Sequence, residues 1–121
     1  MTSWTSVSVS VADLDEALNL WSGSFGLEVK AQKDGDDPAL ARLWGLAPDD
    51  IQRQALVGTP GVNTGLIHFV QFNNPGPAVR EAAQAFDLCP KNLDIYVRDM
   101  PARVLELKDS GHTFRNDNYS E

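Results

Sequence analysis

Residues Ser6–Leu27, SVSVSVADLDEALNLWSGSFGL, hold the reading on which the fold depends. Val7, Val9 and Val11 alternate with Ser6, Ser8 and Ser10. A period of two with β-branched residues on one side describes a half-buried strand. Asp13 stands where a helix N-cap belongs, with Glu16 three residues later to complete a capping box. Leu14, Ala17, Leu18, Trp21 and Phe25 then recur at helical spacing, and Gly26 supplies a left-handed stop. The valines form the only apolar face of the strand, so the helix is expected to pack there. The row of Ser6, Ser8 and Ser10 is then turned towards whatever the sheet encloses, and function is expected on that polar inner face.

The same design returns in Asn92–Gly111, NLDIYVRDMPARVLELKDSG. Leu93, Ile95 and Val97 alternate with Asn92, Asp94 and Tyr96. Asp99 is placed to cap a helix carrying Met100, Val104, Leu105 and Leu107, with Gly111 at its end. Val11-Ala12-Asp13-Leu14 and Val97-Arg98-Asp99-Met100 align without a gap, which reads as a duplicated module.

Between the two copies the chain is strand-rich. Leu27, Val29 and Ala31 alternate with Glu28, Lys30 and Gln32, a second strand, and KDGDD at Lys33–Asp37 is a turn. Asp37 caps and Pro38 opens a short helix over Ala39–Leu46. Ile51–Val57 is a third strand and Gly65–Phe72, GLIHFVQF, a fourth, so nearly free of polar residues that both its faces should be covered. Ala78–Phe86 reads as a connecting helix, and His112–Arg115 as a last strand. The expected organisation is a first βαβββ module over residues 1–75, a linker over 76–90, and the start of a second module over 91–121. That second module has strand, helix and strand but no counterparts of the third and fourth strands. An open sheet edge recruits partners, so a homo-oligomer or a missing C-terminal segment is expected.

With 121 residues, 42% hydrophobic and 22% charged, the chain has an ordinary globular composition. A net charge of −7 with no Lys/Arg run argues against a nucleic-acid partner. No apolar run reaches membrane-spanning length, and MTSWTSV does not look like a secretory leader. The single cysteine, Cys89, allows no internal disulfide and fits a reducing compartment, so cytoplasmic placement is expected. Dinucleotide, Walker, CxxC, HExxH and nucleophile-elbow motifs are all missing.

The V-x-D-L turn at Val11–Leu14, Phe25-Gly26-Leu27, Trp44-Gly45-Leu46, Gly65–Phe72 and Asp94–Asp99 leading to Gly111 together resemble the vicinal oxygen chelate superfamily. This superfamily holds the glyoxalase, bleomycin-resistance and extradiol-dioxygenase proteins, and the likeness is to a glyoxalase-like branch. The resemblance implies an α+β fold of βαβββ modules, a mixed sheet curled round a cleft with helices outside. It also implies a small organic molecule as ligand, and a lyase, isomerase or other enzyme, or a non-catalytic resistance protein. Metal-dependent members hold a divalent ion at the start of the first strand and in the last strand of each module. Those positions fall here on Ser6, Asn92 and His68, the fourth lying beyond Glu121. Ser and Asn are weak ligands and one imidazole does not hold a metal, so no metal cofactor is expected from these residues. A metal-dependent dioxygenase or lyase would need ligands beyond residue 121.

His68 reads either as a hydrogen-bonded core histidine or as a cleft-facing acid or base. If the protein is catalytic, His68 is the expected proton-transfer residue, with Ser6 and Asn92 orienting the substrate. Asp94 and Tyr96 share the face of Asn92 by alternation and join them as substrate-binding candidates, or else make structural hydrogen bonds. Trp44 reads equally as core or as a ligand contact, and in a sequestering protein Trp44 and Phe72 would line the cleft. Asp13 and Asp99 are explained by capping alone.

Overall fold

The structure is a computed structural model, and it describes residues 5–77, 84 and 93–114. It divides into two units, Met1–Ala83 and Gln84–Glu121, which are taken separately.

The first unit runs β1 (Ser6–Ser10), α1 (Leu14–Leu18) with a π-helical continuation (Asn19–Ser24), β2 (Glu28–Asp34), α2 (Pro38–Leu43), β3 (Ile51–Gly58) and β4 (Leu66–Phe72). The four strands lie in the order β1-β4-β3-β2. β1 is parallel to β4, and the β4–β3 and β3–β2 pairs are antiparallel. This is one α+β βαβββ module with a mixed, unclosed sheet, as the alternation and caps indicate.

Capping starts α1 where expected. Asp13 Oδ1 accepts from the N–H groups of Asp15 (2.9 Å) and Glu16 (3.2 Å), satisfying two donors that the helix itself leaves unpaired. A third, the Leu14 N–H, donates to Gln71 Oε1 on β4 at 2.7 Å. Arg53 on β3 grips Asp15 with two nitrogens, both at 3.0 Å, and Asp34 at the end of β2 at 2.9 Å. The helix start is thereby tied to two strands.

Beyond Leu18 the expected regular helix widens. Phe25 N–H bonds Leu20 C=O, five residues back, the spacing of a π-turn. Trp21 and Phe25 meet edge to face at 5.3 Å, and Trp21 also lies 5.9 Å from Phe69. The wider turn keeps both bulky rings over the sheet, and Gly26, at φ +75°, ends it.

Two clusters make the core, one on each face of the sheet. Under α1 lie Leu14, Ala55, Val57, Ile67 and Phe69, flanked by Val7, Val9, Val11, Ala17, Leu18, Trp21 and Leu27. Under α2 lie Ala41, Ile51 and Val70, flanked by Leu40 and Phe72. β4 feeds both, so its scarcity of polar residues, His68 and Gln71 excepted, follows from burial on two sides. The serines of β1 are exposed while Val7 and Val9 are half-buried, which sets the serine row on the face opposite α1.

Two bulges depart from simple alternation. A register shift between Val29 and Ala31 puts Val29 opposite Val57 on the α1 face but Ala31 opposite Leu56 on the other. The expected common face of Leu27, Val29 and Ala31 is thus broken. A second shift, between Ile51 and Arg53, leaves Ile51 and Gln54 facing the same way. An extra residue on one strand bends it and increases the local twist. The short helix spans Pro38–Leu43 rather than Ala39–Leu46, because Gly45, at φ +71°, turns the chain back and lets Leu46 N–H close on Ala41 C=O.

In the second unit the described residues hold one helix, α3 (Met100–Asp109). Asp99 Oδ1 accepts from Ala102 N–H at 3.2 Å, Val104 and Leu107 are buried, and Gly111 at φ +87° follows. The strand expected over Asn92–Val97 is absent from its described part, Leu93–Val97, and Asn92 lies outside the described residues. Alternation survives there as half-buried Ile95 and Val97 beside exposed Asp94 and Tyr96. A strand, however, exists only through its ladder, and among the described residues of this unit no second strand offers one. The last strand expected over His112–Arg115 is likewise absent over residues 112–114, Arg115 being outside the described residues. The connecting helix expected over Ala78–Phe86 also lies outside them, Gln84 excepted.

Candidate functional site

The face of the first-unit sheet opposite α1 carries a chain of four polar side chains centred on His68. Register places Ser8 of β1 and Leu56 of β3 beside His68 on either side. Ser8 Oγ lies 2.9 Å from His68 Nδ1, and Gln54 Oε1 lies 2.8 Å from His68 Nε2. Gln54 Nε2 in turn donates to Asp37 Oδ2 at 2.6 Å.

Chemistry assigns the protons along this chain. Asp37 caps α2, its Oδ1 accepting from Leu40 N–H at 3.2 Å. That bond first, then the one from Gln54, holds the Asp37 carboxyl below the usual carboxylate range. An ionised carboxylate only accepts, so Gln54 must turn its NH2 towards Asp37 and its carbonyl towards His68. His68 Nε2 therefore carries a hydrogen and donates it to Gln54. Burial pushes the His68 imidazole below its ordinary value, the Asp37 charge partly opposing. In the neutral ring Nδ1 is an acceptor, so the Ser8 hydroxyl donates to it.

A pocket of about 440 Å³ opens over the His68, Gln54 and Asp37 part of this chain, with Ser8 outside its lining. Its apolar walls include Ala31, Leu40 and Leu56, and its polar lining includes Ser6, Gln32, Lys33, Asp37, Gln54 and His68. Lys33 Nζ stands 3.6 Å from Asp37 Oδ2, so the pocket's cation and anion face each other. Trp44, at the end of α2, is 38% exposed. Its ring lies 5.9 Å from that of His68 and 6.5 Å from that of Phe72.

Of the residues singled out from sequence, Ser6 and His68 line the pocket, and Trp44 and Phe72 form an aromatic wall beside His68. Asp94 and Tyr96 are exposed in the second unit, and Asn92 lies outside the described residues. Reading the sequence did not single out Ser8, Gln54, Asp37 or Lys33 as site residues. The serine row pointed to Ser8, and the cap at Asp37 was legible, but Gln54 carried no signal of its own.

Of the positions at which the resemblance places a metal, Ser6 and His68 are described and do not by themselves make a divalent-metal donor set. Both His68 nitrogens are engaged, by Ser8 and by Gln54, and Ser6 stands across from Leu66 rather than from His68. Among the described residues no three His, Cys, Asp or Glu side chains are grouped as metal ligands. No helix among them is long and apolar enough to cross a membrane.

With this geometry in place, comparison with solved structures finds the same fold in a glyoxalase family protein from Bacillus cereus. The match has a TM-score of 0.75 and 22% identity, and covers 92% of this chain and 73% of that one. The chain therefore has the glyoxalase-like fold. A scan against protein-family models and a search of curated proteins find no match.

Proposed function

We propose that this chain binds a small organic molecule over His68 on the inner face of its first-unit sheet. In this reading the ligand displaces or acts through the Ser8 hydroxyl to reach His68 Nδ1, and the imidazole transfers a proton there without a bound metal. The observation that carries it is an imidazole held by Ser8 at one nitrogen and Gln54 at the other, in the wall of a mostly apolar pocket. Few polar groups converging on an apolar hollow suit a compact metabolite, and a positioned imidazole is the side chain most often used for general acid–base work. Lys33 and Asp37 offset each other, which favours a ligand of low net charge. Ser6, on the pocket wall, orients the ligand; the same role for Asn92 rests on the sequence resemblance alone. The glyoxalase family name of the Bacillus cereus protein is in keeping with chemistry on a small metabolite.

The test is a thermal-shift screen of small carbonyl, hydroxy-acid and aromatic compounds. A ligand at a hundred times its Kd stabilises the folded state by about 2.7 kcal/mol. Hits should lose their effect in His68→Ala; unchanged affinity in that variant refutes the assignment. One observation favours a second reading, a sequestering protein without turnover: Trp44 presents a partly exposed aromatic face beside His68. Binding would then survive His68→Ala and fail in Trp44→Ala.

A further inference from the structure

We propose that Ser8 is a nucleophile activated by His68, and that this face transfers acyl groups from small activated esters to water. The proposal rests on the reading of this face as a small-molecule site, and adds a reaction class to it. A hydroxyl, a base within hydrogen-bond reach and a third group orienting the base form the arrangement nucleophilic catalysis requires. Here the hydroxyl is Ser8, the base is His68 Nδ1 at 2.9 Å, and the orienting group is Gln54 at 2.8 Å from Nε2, itself locked by Asp37 at 2.6 Å. Burial does not force this chain into being, because no polar side chain among the described residues is fully buried. Four side chains from β1, β4, β3 and the cap of α2 are nonetheless joined in one hydrogen-bonded chain.

Ser8 is exposed, so a carbonyl carbon can approach its Oγ. A donor for the carbonyl oxygen comes from the strand itself. Thr5 C=O and Val11 N–H both bond to β4, so odd-numbered residues turn their backbone groups towards it. Alternation then turns the Ser8 N–H to the outer edge of β1, the last strand of the sheet. Within the proposal, this N–H at the sheet edge is the donor assigned to the developing oxyanion.

The step balances without a co-reactant other than water. Ser8 Oγ attacks the ester carbonyl as its proton moves to His68 Nδ1. The carbon–oxygen bond to the leaving alcohol breaks, that oxygen takes the proton, and the acyl group stays on Ser8. Water then gives a proton to the same nitrogen, attacks the acyl-serine and releases the carboxylic acid, and the proton returns to Ser8.

The experiment treats the full chain with a fluorophosphonate probe, maps the adduct by mass spectrometry, and follows hydrolysis of 4-nitrophenyl acetate in parallel. The expected result is one adduct, on Ser8, lost in Ser8→Ala together with ester turnover and retained in Ser10→Ala. His68→Ala should slow labelling about a hundredfold. An adduct elsewhere, no adduct, or wild-type turnover in Ser8→Ala overturns the proposal. Should His68→Ala not fold, Ser8→Cys decides. Its thiol should react with iodoacetamide at pH 7 about tenfold faster than glutathione does, and an equal rate overturns the proposal. The two readings fail separately: unmodified Ser8 with ligand-induced thermal shifts intact removes the nucleophile and leaves the binding site.

Discussion

Replacing Gln54 with leucine keeps the bulk of the side chain and removes its two hydrogen bonds. The contact that matters is His68 Nε2–H to Gln54 Oε1, 2.8 Å long and partly buried. A net hydrogen bond is worth about 0.5–1.5 kcal/mol, and leaving a buried donor unpaired costs about 1–3 kcal/mol. Water reaches part of the His68 ring, so the lower end of both ranges applies and a loss of about 1–2 kcal/mol is expected. For a folded unit of this size that is a Tm decrease of roughly 4–16 °C. Urea unfolding at pH 7.5 measures it, and the double-mutant cycle with His68→Phe isolates the pair. His68→Phe alone removes the donor, so the double variant should be better than the sum by about 1 kcal/mol. NMR of the imidazole nitrogens gives a second readout. With Gln54 gone nothing fixes the Nε2–H form, and the Nδ1–H tautomer should become populated, with Ser8 accepting from it. Additive single effects, or an unchanged tautomer in Gln54→Leu, would refute the proton assignment along the whole chain.

Folding stability should also report on His68 through pH. Burial lowers its folded value, so between that value and about 6.5 the unfolded chain binds more protons. Stability is therefore full above about pH 6.5 and falls as the medium is acidified below it. His68→Phe should flatten that slope in urea midpoints measured from pH 5 to 8, and an equal slope would contradict it. Asp15 and Asp34, held low chiefly by Arg53, and Asp37, held low chiefly by Leu40 N–H, add a further loss below about pH 4. Phe69 is 1% exposed between Trp21 and the sheet, and Phe69→Ala should cost about 3–5 kcal/mol in denaturant unfolding. A cost below 1 kcal/mol would mean that α1 does not seat on it. A Cβ added at Gly58 would overlap Leu66 Cδ2 and lie 3.1 Å from Lys30 Cε. Gly58→Ala should therefore lose about 1–3 kcal/mol, and the double variant with Leu66→Ala should lose less than the sum of the two.

Local pattern reached far into the first unit. Valine–serine alternation, the caps at Asp13 and Asp37 and the stop at Gly26 are short-range effects, and each stands where the sequence puts it. GLIHFVQF showed burial on both faces because no alternation was needed to hide a polar side. What could not be read depends on partners distant in sequence. Gln54 matters through His68, fourteen residues on, and through Asp37, whose second carboxylate oxygen no capping rule assigns. The bulges at Val29–Ala31 and Ile51–Arg53 move Ala31 into the pocket wall and set Ile51 beside Gln54 on one face. A strict period of two cannot foresee either. The π-turn after Leu18 hides in the same way, since Trp21 and Phe25 keep a helical spacing in either geometry. Leu93–Val97 is the opposite case. Its alternation matches that of Val7–Val11, but alternation describes two faces and not the neighbouring strand that makes a ladder.

β4 is held from both sides, by Ile67 and Phe69 beneath one helix and by Val70 and Phe72 beside the other, and His68 sits in the middle of that strand. The imidazole thus rides on the stretch of chain that should open last. Amide hydrogens from Ile67 to Val70 should exchange only through complete unfolding. A molecule bound over His68 would therefore meet a rigid floor.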